Sequence, residues 1–217
     1  EQCRIQMAQA DAAAQAVRQY IRQFRVPCYD EKTGRGLLRH LYVRTNGAGE
    51  GLVCLLGNGE RAPHEAELVE LLRQAVPSAV GIVWGVNRRK GNVILGDSYR
   101  TLWGEDTLRD TLWGLTFRLG VPSFYQVNRA QAEVLYRRAV DYAGLTGAEL
   151  VLDLYCGAGT ITLTMADRAK KLIGAEIVPP AVKNARENAR ANGISNVEVF
   201  CGDASDIAVK LAADDLR

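Results

Sequence analysis

The spacing of apolar residues changes once along the chain, near residue 120. Residues 6–24 are rich in alanine and place apolar side chains at helical intervals, which predicts a helix. Residues 36–60 and 79–96 alternate around glycine-containing turns, and each stretch predicts two strands. A proline followed by acids predicts that another helix begins at residue 63. Residues 1–121 are therefore predicted to form an α+β domain dominated by hairpins.

Beyond residue 127 helices and strands alternate one by one. Short apolar runs at 149–155, 170–177 and 196–204 predict strands. Helical patterns precede, separate and follow these strands, at 128–145, 160–169, 179–193 and 206–216. A β-α-β-α-β order implies a parallel sheet with helices on its faces. The segment 119–126 is the predicted junction, and residues 122–217 the second domain.

A glycine-rich turn follows the first of these strands, in the segment "DLYCGAGT" at 153–160. In a doubly wound sheet, ligands bind outside the carboxyl ends of the strands, where the next helix presents free N–H groups. Gly157 and Gly159 would let a ligand approach the backbone closely. The third position of a dinucleotide fingerprint holds Thr162 instead of glycine, which disfavours an NAD enzyme.

The next two strands each end in an acid. Glu176 closes the second strand, where a carboxylate can accept hydrogen bonds from both ribose hydroxyls of an adenosine group. Asp203 follows the third strand, where an adenine contact is expected. An acid, Asp153, before a G-x-G turn resembles the first motif of S-adenosylmethionine-dependent methyltransferases. The predicted cofactor is therefore S-adenosylmethionine.

Three longer segments carry a closer resemblance. They are "PSFYQVN" at 122–128, "LDLYCGAGTITL" at 152–163 and "IGAEIVPPAVKNARENARANGISNVEVFCGDA" at 173–204. Together they resemble the RNA 5-methyluridine methyltransferases, which methylate C5 of uridine in ribosomal or transfer RNA. The resemblance implies an α/β protein, with a central α+β domain over residues 1–121. Residues 122–217 would then form the first half of a Rossmann-like methyltransferase domain.

The resemblance also implies roles for individual residues. Gln126 would contact the methyl donor, and Tyr155 would pack on it, although a core position is the alternative for this tyrosine. Glu176 would bind the ribose, and Asp203 would lie near the adenine. The full set of donor contacts implied in this way is Gln126, Tyr155, Gly157, Gly159, Thr160, Glu176 and Asp203.

The chemistry of that family requires a cysteine thiolate, which adds to C6 of a flipped-out uracil so that C5 can attack the methyl group. The family's nucleophile lies in an "SCNP"-like motif after a "DPPR" motif, and this sequence contains neither. We therefore expect no catalytic residue in this chain and no activity from the chain alone. Cys156 is expected to be a small, partly buried neighbour of the donor. Cys54 and Cys201 are expected in the core.

Basic residues in the first domain are candidate RNA contacts, since positive side chains beside aromatic ones suit phosphates and splayed bases. Strand alternation places Arg39 on one face with Leu41 and Val43. The candidates are Arg39, His40, Arg44, Arg88, Arg89 and Lys90. A solvated hairpin is the alternative for the turn 87–90. RNA is the predicted partner, with ribosomal RNA expected over transfer RNA.

Composition sets a few further limits. The net charge of +2 permits a nucleic-acid partner without demanding one, and there is no apolar run long enough for a membrane span. The five scattered cysteines form no C-x-x-C pair, which predicts a reducing, cytoplasmic setting. Cys3 matches one iron–sulfur ligand of the family, but its partners would precede residue 1. No metal site is therefore predicted here, and a cluster only in a full-length protein.

Two other functions stay open from the sequence, besides the disfavoured NAD enzyme. The chain alone would be a module that binds RNA or S-adenosylmethionine without turnover. A methyltransferase of small molecules or proteins is another reading, although "FYQVN" and the preceding domain are not needed for it. The sheet, with only three predicted strands, is also expected to expose an edge through which the chain would self-associate.

Overall fold

The computed structural model describes residues 6–213, and its contacts divide the chain into two compact units, Glu1–Leu108 and Arg109–Arg217. The division falls earlier than the junction at 119–126 expected from the sequence. The reason is that the strand just before that segment packs on a helix of the second unit. Within the described residues, no helix is long and apolar enough to cross a membrane.

The first unit contains a four-stranded sheet and two helices. Its elements are α1 (Ala8–Phe24), β1 (Leu38–Thr45), β2 (Gly51–Gly57), α2 (Glu65–Ala75), β3 (Ala79–Val86) and β4 (Ser98–Gly104). The strands lie in the order β1-β2-β3-β4, and only the β2–β3 pair is parallel. The helices cover one face of the sheet, where Tyr20, Leu68 and Trp84 are almost completely buried.

One predicted strand is absent from the first unit. Residues 87–97, between β3 and β4, form an irregular loop instead of continuing the alternating pattern. The side chain of Asn87 is fully buried and donates to the carbonyl oxygens of Val93 and Ile94, at 2.6 and 3.0 Å. These carbonyls are thus satisfied by an amide side chain, so the segment needs no partner strand.

The second unit contains the predicted alternation of strands and helices. Its elements are β5 (Thr107–Leu112), which begins in the first unit, β6 (Leu115–Gly120), α3 (Arg129–Ala143), β7 (Leu150–Asp153), α4 (Thr160–Thr164), a 3-10 turn (Ala166–Arg168), β8 (Lys171–Glu176), α5 (Pro179–Ala191), β9 (Val197–Cys201) and α6 (Ala204–Ala213). Strands β5 and β6 pair with each other. The other three form a parallel sheet in the order β7-β8-β9. The predicted fold class is confirmed.

Strand β7 lies at one edge of the parallel sheet, as expected from the sequence. It is only four residues long, and its Leu152 is 42% exposed, although leucine is usually buried in a parallel strand. The glycine-rich loop 154–159 follows directly from this strand, so the edge of the sheet lies next to the predicted binding site for the methyl donor.

Candidate methyl-donor site

The loop after β7 reaches α4 through two residues with left-handed backbone angles. Gly157 has φ of +56° and Gly159 has φ of +82°, a region that favours glycine. Asp153 stabilises the loop from its start: its carboxylate accepts a hydrogen bond from the Thr162 hydroxyl at 2.5 Å and from the Tyr155 N–H at 3.3 Å. Thr162, which argued against a dinucleotide, therefore has a structural role.

Glu176 connects this loop to the next one. One carboxylate oxygen accepts the N–H of Gly157 at 3.0 Å, and the other accepts the N–H of Val178 at 2.8 Å. Each oxygen keeps a further lone pair for a ligand hydroxyl. An atom added at the Cα of Gly157 would meet no protein atom within 4 Å. Gly157 thus borders open space, and the carboxylate bound to its N–H is partly exposed. An acceptor in this place suits the hydroxyls of an adenosine-type ligand.

Asp203 follows β9 and begins the turn into α6. Its carboxylate accepts hydrogen bonds from the hydroxyl and from the N–H of Ser205, the latter at 2.8 Å. These bonds lower the pKa of Asp203 below its usual value, so the side chain is ionised at neutral pH. The backbone joins it to the previous strand end, since the Gly202 N–H donates to the Glu176 carbonyl at 3.0 Å.

The remaining predicted contacts differ in exposure. Tyr155 is 82% exposed, which removes the alternative of a core aromatic. Thr160 is buried and its hydroxyl lies 3.2 Å from the hydroxyl of Tyr136 on α3, so it supports the loop from inside. Gln126 is partly buried in the segment between β6 and α3. Its neighbour Tyr125 donates to Asp110 at 2.9 Å, which fixes that segment.

Cys156 belongs to this loop, and it is only 3% exposed. Burial, and then the charges of Asp153 and Glu176, raise the pKa of its thiol to about 12. An atom added at Gly174 on β8 would lie 2.8 Å from its sulfur, so the thiol occupies a closely packed position. Cys156 is therefore a packing residue whose thiol stays protonated at neutral pH.

Alkylation can test this assignment. Below pH 9 the Cys156 thiol is protonated, whereas Cys201 is exposed, so iodoacetamide should modify Cys201 many times faster in the native protein. Peptide mass spectrometry after timed alkylation at pH 8 measures both rates. Equal rates would contradict the buried position of Cys156, and denatured protein, in which both react, provides the control.

The other cysteines differ in burial. Cys54 is fully buried, as predicted, and burial raises the pKa of its thiol to about 12. The prediction of a core position for Cys201 was wrong: it is exposed, because it is the last residue of the edge strand β9. Cys3 lies outside the described residues. Among residues 6–213, no group of three or more histidine, cysteine and acidic side chains is placed to hold a metal ion.

The basic candidates of the first unit are partly engaged within the protein. The guanidinium of Arg39 donates to the carbonyl oxygens of Asn87 at 2.9 Å and Arg89 at 2.7 Å, and it lies 4.1 Å from the ring centre of Tyr29. It thus holds the loop after β3. Arg44, on the same strand, is only 8% exposed.

His40 is partly buried, and burial followed by the charge of Arg39 lowers its pKa. The remaining candidates lie on the surface of the loop after β3: Arg88 pairs with Glu60 at 2.6 Å, Arg89 pairs with Asp97, and Lys90 is exposed. Exposed ion pairs of this kind are weak and can be exchanged for phosphate.

Sequence reasoning missed the residues that support the donor loop from below. Asn188 on α5 is fully buried and donates to the carbonyl oxygen of Ala158, between the two glycines, at 3.0 Å. The available signal was the repetition of asparagine every four residues, at 184, 188 and 192. Exposed apolar residues near the site, Phe124 at 71% and Ile177 at 64%, were also not singled out.

The second unit also matches a known domain. Residues 145–216 fit the family model described as a methyltransferase domain. These residues have a Rossmann-like methyltransferase fold. Their boundaries enclose β7 to β9 and every candidate donor contact except Gln126.

Similarity to curated proteins extends beyond that domain. An uncharacterized RNA methyltransferase from Halalkalibacterium halodurans is 42% identical over 208 residues, which is 95% of this chain and 45% of the relative. One from Clostridium acetobutylicum is 40% identical over 212 residues, covering 97% of this chain and 46% of the relative. The chain thus spans about half the length of the curated relatives it matches.

The chain also resembles solved structures of tRNA methyltransferases. The tRNA (uracil-54, C5)-methyltransferase of Pyrococcus abyssi, in complex with S-adenosyl-L-homocysteine, has a TM-score of 0.71 and 25% identity, covering 88% of this chain and 46% of that one. A tRNA m1G37 methyltransferase of M. jannaschii has a TM-score of 0.51 at 16% identity, covering 93% and 61%, and shares the fold alone. The matches support S-adenosylmethionine as the cofactor.

Proposed function

We propose that this chain is the donor-binding part of an RNA methyltransferase that transfers the methyl group of S-adenosylmethionine to C5 of uridine. The observation that carries the proposal is the likeness to the Pyrococcus abyssi enzyme, which covers 88% of this chain and so extends outside the methyltransferase domain. That enzyme is described as acting on uracil C5 in tRNA. The curated relatives, named as RNA methyltransferases, support RNA as the class of substrate.

Each residue of the donor site would bind a different part of S-adenosylmethionine. Glu176 accepts hydrogen bonds from the ribose hydroxyls with the lone pairs left free by Gly157 and Val178. Tyr155, which is 82% exposed, covers the donor from the side. Asp203, held ionised by Ser205, accepts from the amino group of the adenine. When bound, the donor supplies an electrophilic methyl group, and the protein residues orient it.

The nucleophile that this chemistry needs is not proposed within residues 6–213. Addition to C6 of uracil requires a thiolate, and the thiol pKa of Cys156 and of Cys54 is raised to about 12. Cys28 and Cys201 are exposed, but neither stands in an "SCNP"-like motif. We therefore propose that this chain alone turns nothing over, and that the nucleophile is supplied by sequence not present here.

Donor binding by the chain alone is proposed to be weak. A doubly wound sheet binds its ligand where the strand order reverses, and the described sheet, β7-β8-β9, lies on one side of that point. The exposed edge of β7 is the surface through which the chain would self-associate. The basic loop after β3, with Arg88, Arg89 and Lys90, is the proposed RNA contact of the first unit.

Loss of the C5 hydrogen gives a direct test. RNA carrying tritium at C5 of uridine should release tritium into water only when S-adenosylmethionine and the full gene product are both present, because methylation replaces that hydrogen. Ribosomal and transfer RNA are tested separately, since the expectation of ribosomal RNA stays a prediction. Methyl transfer to RNA without tritium release would overturn the choice of C5, and methylation of protein alone would overturn RNA.

A non-catalytic binding module is the second candidate, and the raised pKa of Cys156 favours it for the chain taken alone. The same assay with the full gene product distinguishes the two functions, since a protein that only binds donor or RNA would release no tritium. Release by the 217-residue chain itself would contradict our view that its cysteines are not nucleophiles.

A further inference from the structure

Three asparagines form a row along one face of α5, the last of them at the C-cap of the helix. Asn184, Asn188 and Asn192 repeat every four residues, an advance of about 6 Å along a helix. Alternate residues of an extended strand are separated by about 6.6 Å, so such a row can follow a strand for several residues. The row follows β6 in the opposite direction, with Asn192 at Thr116, Asn188 at Arg118 and Asn184 at Gly120.

Two of these asparagines bind the strand as a neighbouring strand would. Asn192 accepts the N–H of Thr116 at 2.9 Å and donates to its carbonyl oxygen at 2.7 Å. Asn188 accepts the N–H of Arg118 at 2.7 Å and donates to its carbonyl oxygen at 3.3 Å. A side-chain amide carries the same donor and acceptor as a peptide group, so the row satisfies backbone groups of β6.

Two members of the row reach beyond the strand, toward the donor site. Asn188 donates to the carbonyl oxygen of Ala158 in the glycine loop at 3.0 Å. Asn184 accepts a hydrogen bond from the hydroxyl of Ser123 at 2.7 Å, three residues before Gln126. Asn188 is 0% exposed and Asn184 is 6% exposed, so water competes little for either bond.

The donor loop also packs on the same helix. An atom added at the Cα of Gly159 would lie 3.4 Å from the side chain of Ala185, which is fully buried. The loop between β7 and α4 is held on one side by the Cys156 N–H, which donates to the Ala175 carbonyl at 3.0 Å, and by the bond to Glu176. Asn188 of α5 holds it on the other side. Helix α5 therefore touches both the loop and the segment that leads to Gln126.

We propose that Asn184 and Asn188 are positioning residues, which hold the glycine loop and the Gln126 segment at a fixed separation on one helix. The proposal rests on the proposed donor site and adds how two parts of it, distant in sequence, keep their geometry. Asn192 makes the same kind of bond to β6 but contacts neither part. It is therefore the matched control within the row.

The test compares alanine variants in the full gene product by calorimetric titration with S-adenosylmethionine, well below the Tm of each variant. Asn188→Ala should weaken donor binding about tenfold, because misplacement of binding groups is costly. Ser123→Ala should weaken it about fivefold, the equivalent of one lost neutral hydrogen bond. Asn192→Ala should lower Tm and leave the donor affinity within about twofold, since its bonds go to Thr116 on β6 and to the carbonyl oxygen of Asn188.

Unchanged donor affinity in Asn188→Ala and Ser123→Ala, with lowered Tm, would overturn the proposal and leave the row a purely stabilising feature. An equal loss of donor affinity in Asn192→Ala would overturn it too, because the loss would then come from weaker packing of β6 and not from the two contacts at the donor site. If Asn188→Ala does not fold, Ser123→Ala decides alone, since it removes only one oxygen atom. A wild-type protein that binds no donor would instead overturn the donor site itself.

Discussion

Glu176→Ala is expected to weaken S-adenosylmethionine binding by the full gene product by tenfold or more. Hydrogen bonds to a charged group contribute about 1.5–3 kcal/mol each, and about 1.4 kcal/mol corresponds to a factor of ten. The variant also releases the N–H groups of Gly157 and Val178, so the two loops lose their connection. Calorimetric titration measures the change.

Glu198→Ala is the matched control for this substitution. Glu198 lies on the neighbouring strand β9, where it pairs with Lys171 at 2.9 Å and is about half exposed. Removing a surface pair of this kind changes stability by less than about 1 kcal/mol. We expect its donor affinity to match the wild type. Unchanged affinity in Glu176→Ala would remove Glu176 from the donor site.

Gly157→Ala is expected to block the donor without unfolding the protein. The added methyl group meets no protein atom within 4 Å, so its only structural cost is the left-handed backbone at φ of +56°. That cost is about 1–2 kcal/mol for a residue with a side chain. If the donor occupies the open space, the methyl group also collides with it, and affinity falls by tenfold or more.

Gly144→Ala is the control that separates the cost of a left-handed backbone from the collision with the donor. Gly144 ends α3 with φ of +57°, and an added methyl group there also meets nothing within 4 Å. Both variants should therefore lower Tm by a similar amount, whereas only Gly157→Ala should lose donor affinity. Equal donor affinities in the two variants would show that the space beside Gly157 is not part of the site.

Local patterns were sufficient to predict most of the second unit. Its strands are short apolar runs and its helices have a regular period, so β7, β8 and β9 could be located from the sequence. The placement of Glu176 and Asp203 at the ends of neighbouring strands could be predicted, because the ends of parallel strands meet at one edge of the sheet. Their hydrogen bonds to Gly157 and Ser205 depend on loop geometry that periodicity does not describe.

The errors occurred where a side chain substitutes for backbone or contacts a distant segment. Asn87 satisfies the carbonyls of a segment that alternates like a strand, so the pattern predicted a strand that is absent. RNA contact by Arg39 stays a prediction, but the sequence pattern did not show that its guanidinium binds a loop about fifty residues later in the sequence. Such bonds between distant residues leave no periodic signal. Cys201 has an apolar neighbourhood in sequence, yet it ends an edge strand and is exposed.

The most direct measurement is an NMR titration of this chain with S-adenosylmethionine, since chemical shifts report weak binding residue by residue. We expect millimolar donor to shift the amide signals of Gly157, Gly159 and Val178, with smaller changes beyond β9, because Glu176 joins the first two loops. Signals of the basic loop after β3, including Lys90, should not move. Shifts confined to the first unit, or none at millimolar donor, would contradict a donor site at the ends of β7 and β8.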